Sequence, residues 1–250
     1  MLTPWHFMLL FSAAFVAGLV DAIAGGGGLI TVPVLLGVGL PPQAALGTNK
    51  LQSSFGSGSA MLHFLRCGQV RLRDCWQGII WTALGAGSGV LAIQALSPEL
   101  LRRIIPWLLG LIALYTLLTP RLGQEDVHAR WPATPFFLLF GLMIGFYDGF
   151  LGPGTGSFWA MAFMLLLGYS LVRATAATKV MNFTSNIVAL GFFLPAGQVH
   201  IPEVLVMGAG QFLGARIGAR LVLKRGAAFV RPIFITMVLA VLLKLILQKH

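Results

Sequence analysis

Three kinds of residue occur twice in this chain at matched spacing, and each has a use in handling an anion. Gly25-Gly26-Gly27-Gly28 and Gly152-Pro153-Gly154-Thr155-Gly156 form two glycine knots, each followed by a short apolar run. Glycine permits close backbone approach. A helix starting at such a knot presents unpaired N–H groups and a partial positive charge, which together favour an anion. The competing use is tight packing of small residues between membrane helices. Lys50 and Lys179 stand two turns into their expected helices, beside Thr48, Asn49 and Asn182. A charged side chain near a bilayer centre costs about 2.5–3.5 kcal/mol on insertion scales. Each lysine therefore either snorkels to the interface or compensates an anion or a nearby carboxylate. Asp21 and Asp148 lie four residues before their knots. A carboxylate at a helix end meets an unfavourable dipole, so each is a candidate proton carrier, a lysine partner or a structural acid for the knot N–H groups.

Polar faces accompany these groups. Asn49, Gln52 and Ser53 share a helical face, as do Asn182 and Asn186. With Thr48, Ser57 and Ser185 they fit a substrate space, or else hydrogen bonding between helices worth on the order of 1 kcal/mol each. The binding set expected from sequence is thus the four glycines of the first knot, Gly152, Gly154, Thr155, Gly156, Asn49, Lys50, Lys179 and Asn182. No metal or cofactor is expected. Cys67 and Cys75 are the only cysteines, and no His or Cys group completes a metal site. No phosphate loop follows Gly25–Gly28, and no catalytic triad spacing is present, so an enzyme is not expected.

The elements that position these residues are membrane helices. Charged residues make up 10% of the chain and hydrophobic residues 57%. A soluble domain carries about a quarter charged residues, so this chain cannot cover a water-facing surface. Spanning helices need about 20 mostly apolar residues, and the apolar runs yield eight to ten helical elements. The net charge of +10 sits mainly between those runs. That pattern suits lipid headgroups and topology control, not nucleic acid. Met1–Ile23 has no basic start and its kind returns later in the chain, so it belongs to the fold and is not a signal peptide.

An internal repeat organises the whole. Gly18 and Asp21 match Gly145 and Asp148 at an offset of 145 − 18 = 127. Later the offset is 129, pairing Lys50 with Lys179, Gly68-Gln69-Val70 with Gly197-Gln198-Val199, and Leu84-Gly85-Ala86 with Leu213-Gly214-Ala215. The expected divisions are a first repeat over 1–119, a polar linker over 120–133 and a second repeat over 134–250. Each half reads as about five helical elements: Trp5–Ile23, Leu29–Gly39, Gln43–Leu65, Asp74–Leu96 and Leu100–Leu118, then Thr134–Phe150, Gly156–Gly168, Leu171–Leu194, Ile201–Leu223 and Ala228–Leu247. The short second element suits a re-entrant half-helix whose knot faces an interior cavity, since irregular backbone at depth must be shielded from lipid. Arg66–Arg73 holds three arginines and its repeat partner Pro195–Pro202 none, whereas Lys224–Arg231 is the more basic of the other matched loops. By the positive-inside rule the halves insert in opposite senses, with both termini outside the cytoplasm.

The motifs Gly18-x-x-Asp21, Gly25–Gly28, Pro33, and Ala45-x-x-Thr48-Asn49-Lys50 resemble the TauE/SafE family of sulfite-exporter-like permeases. Their echo in Asp148, Gly152–Gly156 and Ala177-Thr178-Lys179-Val180-Met181-Asn182 extends the resemblance over nearly the whole chain. It implies a multi-pass permease of the bacterial inner membrane for sulfite, sulfonates or related small anions. The expected function is a secondary transporter working by alternating access, with a passive anion channel of the same architecture as the alternative. The expected partners are a small anionic substrate and the lipid bilayer, and a homodimer is compatible with this reading.

Overall fold

A computed structural model describes the backbone of residues 4–118 and 128–247, so most of the polar linker lies outside the described residues. Among those residues the chain is wholly helical. Its nine helices are α1 (Pro4–Ala24), α2 (Gly28–Gly37), α3 (Pro42–Arg66), α4 (Leu72–Gln94), α5 (Pro98–Leu118), α6 (Ala133–Phe150), α7 (Thr155–Leu166), α8 (Leu171–Phe193) and α9 (Ile201–Leu247). Local chemistry sets several boundaries. Pro42 opens α3, where its missing N–H costs nothing. Ser170 caps α8 by accepting a hydrogen bond from the Arg173 N–H.

One expectation is overturned. Ile201–Leu223 and Ala228–Leu247 are not two helices but the single helix α9 of 47 residues. At 1.5 Å per residue it runs about 70 Å, more than twice the hydrocarbon thickness. The basic stretch Lys224-Arg225-Gly226 reads as a loop by charge. It contains no proline, however, and one glycine costs a helix only about 1 kcal/mol. The first half therefore has five helices and the second four.

Helices α1, α4 and α6 hold stretches long and apolar enough to cross a bilayer, and α2 and α7 are shorter apolar helices. Polarity is inverted relative to a soluble protein. Trp5, Met8, Trp76, Leu84, Leu91 and Leu205 are exposed, while α3 and α8 bury Thr48, Asn49, Lys50, Gln52, Thr178, Lys179 and Asn182. This is the distribution lipid demands, with polar groups turned to the interior of the bundle.

The halves interlock. Helix α1 packs chiefly on α9 and α6 on α4; α3 packs on α9, α8 on α4, and α3 and α8 meet each other. Every one of these contacts has its counterpart under the repeat. Glycine seams line both of the chief pairings. Gly89 of α4 lies against Phe146 and Phe150 of α6, and Gly214 of α9 against Phe15 and Leu19 of α1. A Cβ on Gly149 would collide with the backbone of Ala86. Gly149→Ala is thus expected to lower stability by on the order of 1–3 kcal/mol. Gly191→Ala, with no atom within 4 Å of the new Cβ, should be neutral or stabilising. Thermal unfolding of the two purified variants in detergent checks this contrast.

Candidate functional site

The two knots touch at the centre of the bundle. Gly25 has φ +76 and Gly154, which precedes α7, has φ +82; both conformations suit glycine alone. A Cβ on Gly25 would stand 2.5 Å from Gly156 Cα, so the knots pack backbone to backbone. Ser157 fastens them: its N–H donates to Gly25 O at 3.2 Å and its hydroxyl to Ala24 O at 2.9 Å. Tyr147 braces the second knot by donating to Pro153 O at 2.5 Å.

Each lysine reaches across to the aspartate of the opposite half. Lys50 Nζ lies 2.6 Å from Asp148 Oδ1 and also donates to the Asp148 carbonyl. Lys179 Nζ lies 2.8 Å from Asp21 Oδ2 and also donates to the Asp21 carbonyl. The arrangement follows from the helix ends. Asp148 falls in the last turn of α6 and Asp21 in the last turn of α1, where carbonyls and a carboxylate concentrate negative charge. A lysine ammonium answers both at once. Neither lysine snorkels, since both are essentially fully buried.

The two pairs differ in their surroundings. Asp148 is buried, and its second oxygen accepts from the Ser185 hydroxyl. The Asp21 side chain keeps 16% exposure, and its Oδ1 has only a long contact of 3.4 Å from the Gly27 N–H. Asp21 therefore holds the more accessible carboxylate.

Between the knots lies a cavity of about 30 Å³, room for more than one water by the usual one-probe criterion. Its walls bring together residues expected from sequence in both halves: Gly25, Gly28, Asn49, Lys50, Ser53, Gly152, Gly154, Thr155, Gly156, Asn182 and Asn186, with Asp21 and Asp148. No described residue accepts from the N–H groups of Gly28 and Gly156; these are the groups a helix start offers to an anion.

The remaining expected residues serve beside the cavity, not in its wall. Gly26 accepts from the Leu29 N–H at 3.0 Å and Gly27 from the Thr31 N–H at 3.1 Å, closing the first turn of α2. Lys179 is held on Asp21. Gln52 donates to Asn49 Oδ1 at 2.8 Å, and Ser57 donates to the backbone of Ser53 at 2.8 Å. Thr48 faces away and accepts from the His200 N–H at 3.0 Å. Thr31, which donates to Asn49 Oδ1 at 2.5 Å, escaped sequence reasoning, as did Ser157 and Tyr147. The one available signal was position: all three stand within six residues of a knot.

Fold and site together define a multi-pass membrane protein with paired charges and two glycine knots at its centre. The chain belongs to the family described as sulfite exporter TauE/SafE, whose sequence profile matches residues 10–245. It is 48% identical over 229 residues to a probable membrane transporter protein of Haemophilus influenzae, covering 92% of this chain and 90% of that one. It is 45% identical over 250 residues to the probable membrane transporter protein YfcA of Escherichia coli K12, covering 100% and 93%. At greater distance it is 25% identical over 244 residues to the probable membrane transporter protein YunE of Bacillus subtilis, covering 85% and 87%. No solved structure matches. The protein is a membrane transporter of the TauE/SafE family.

Proposed function

We propose that this transporter carries a small anion, a sulfur-containing oxyanion or organosulfonate such as sulfite, across the bacterial inner membrane by alternating access between two inverted repeats. The observation that carries this reading is the cavity between the knots, where the starts of α2 and α7 converge with N–H groups unpaired. Helices of 10 and 12 residues cover about 15 and 18 Å, roughly half a bilayer core. They fit re-entrant half-helices ending near the midplane, an arrangement that recurs in transporters built from inverted repeats. The matched pairing of helices across the halves fits the same design.

Charge shapes the mechanism. Lys50 and Lys179 are neutralised by Asp148 and Asp21, so attraction for the anion comes from the knots and from whatever lysine charge an arriving proton releases. Protonation of Asp21, the more accessible carboxylate, loosens its hold on Lys179 and couples anion binding to a proton. Because each ion pair joins the two halves, rocking one half against the other changes both pairs together. The arginine-rich α3–α4 loop is assigned to the cytoplasmic side.

Flux in proteoliposomes tests the reading. Radiolabelled sulfite is expected to accumulate against its own gradient when a proton gradient is imposed. Transport that only ever runs down the anion gradient, whatever the proton gradient, would replace the carrier with a channel.

A further inference from the structure

We infer that the seam between α3 and α9 holds the headgroup of an anionic phospholipid, at the end of the bundle where the α3–α4 loop lies. The site stands apart from the central cavity and does not depend on which anion is carried. The register of the seam builds it. Gly47 lies against the Gln198 carbonyl, Gly208 against Phe55 and Gly56 against Gln211, and the Ser59 hydroxyl donates to Phe212 O at 3.2 Å. Positions rise together along both helices, so α3 and α9 run parallel. One turn beyond Ser59 and Phe212 stand His63 and Arg216. About a turn further stand Arg66, in the last turn of α3, and Arg220. Arg66, Arg216 and Arg220 all lie close enough to act electrostatically on His63. Arg66 and Arg220 are exposed and Arg216 is half-buried.

No described carboxylate neutralises this cluster. The chain has seven acidic residues. Asp21 and Asp148 are held by the two lysines, and Asp74 lies 3.6 Å from Arg73 on α4. Glu99 and Glu203 open α5 and α9 at the opposite end of the bundle, where Gln43 at the start of α3 donates to Leu96 O. Glu125 and Asp126 lie outside the described residues. Three guanidinium groups within about two helical turns are therefore left for an outside anion, and guanidinium matches phosphate in geometry as well as charge.

Depth says that the phosphate belongs to a lipid. Phe55 and Leu62 on α3 and Phe212 on α9 are exposed along the same seam. Phe55 stands 66 − 55 = 11 residues, about 16 Å, deeper than Arg66. The seam thus offers cations at its mouth and apolar side chains below, the order of a headgroup and its acyl chains. A free anion would use the mouth alone. The repeat shows that the cluster is not there to pack the helices. At the offset of 129 His63 and Arg66 match Phe192 and Pro195, and Arg216 and Arg220 match Gly87 and Leu91, so the equivalent seam between α8 and α4 closes with no charge at these positions. Helices α3 and α9 come from opposite halves, and a headgroup held by both ties the halves together.

Lipid titration of the purified full-length protein in neutral detergent tests this. Phosphatidylglycerol should raise the unfolding temperature in proportion to its concentration over Kd. Phosphatidylcholine with the same chains, and inorganic phosphate alone, should not. Arg216→Gln/Arg220→Gln should weaken phosphatidylglycerol binding about twentyfold, the product of two basic residues near a charged surface. Arg71→Gln/Arg73→Gln makes the same change of charge on the adjoining segment and should leave binding intact. Arg66→Gln, on the exposed last turn of α3, should weaken it about fivefold and decides the matter if the α9 variant does not fold. Equal stabilisation by the two lipids, equal stabilisation by inorganic phosphate, or equal loss in the two double variants overturns the inference. Sulfite flux by the unaltered protein is read separately, so the transport reading stands or falls on its own.

Discussion

Lys50→Met is expected to abolish transport and to lower stability by about 3–5 kcal/mol, the cost of stranding one member of a buried ion pair. Asp148 is enclosed and would retain only the Ser185 hydroxyl. The double variant Lys50→Met/Asp148→Asn should recover most of the lost stability, because it removes the orphaned charge. It should stay inactive, because the anion then meets no charge on that side of the cavity. Thermal unfolding in detergent gives the first quantity and proteoliposome flux the second. Full transport by the double variant would remove Lys50 and Asp148 from the mechanism and leave them a structural pair. Lys179→Met is a useful companion. Asp21 keeps contact with the cavity and can relax towards water there, so its stability loss should be the smaller of the two.

Gly25→Ala should reduce flux at least a hundredfold with the helices still formed. The alanine would hold φ +76, which L side chains rarely adopt, and its Cβ would press on the backbone of Gly156 and Ser157 at 2.5–2.6 Å. Backbone cannot rotate away as a side chain can, so the knots must separate. Separation breaks the Ser157 contacts and shifts the starts of α2 and α7 by more than hydrogen-bond geometry tolerates. Gly37→Ala at the far end of α2 meets nothing within 4 Å and should transport normally. Comparing flux in these two variants, with circular dichroism as a check on helix content, separates damage to the site from damage to the fold. Equal flux would show that contact between the knots is not required.

The sequence was most informative where chemistry is repeated. Lysine, aspartate and glycine are costly or unusual inside a membrane, so their recurrence at 127- and 129-residue offsets stood out from an apolar background. Eight of the nine helices fall close to the expected positions for the same reason: prolines, glycines and charges punctuate the apolar runs. Pairing across the bundle was not legible. Lys50 and Asp148 are 98 residues apart, and Lys179 and Asp21 are 158; nothing local says that each lysine serves the opposite half. The uninterrupted α9 was missed because loops were assigned by charge, and arginine and lysine are good helix formers.

The interlocking of the halves has a consequence for how the protein is made. During synthesis the N-terminal half enters the bilayer with Asp21 and Lys50 both lacking their partners, because those partners lie on α8 and α6. Helix α1 also waits for α9 before the face that packs on Gly210, Gly214 and Gly218 is covered. A ribosome that stalls midway leaves unneutralised charge and an open seam in the membrane.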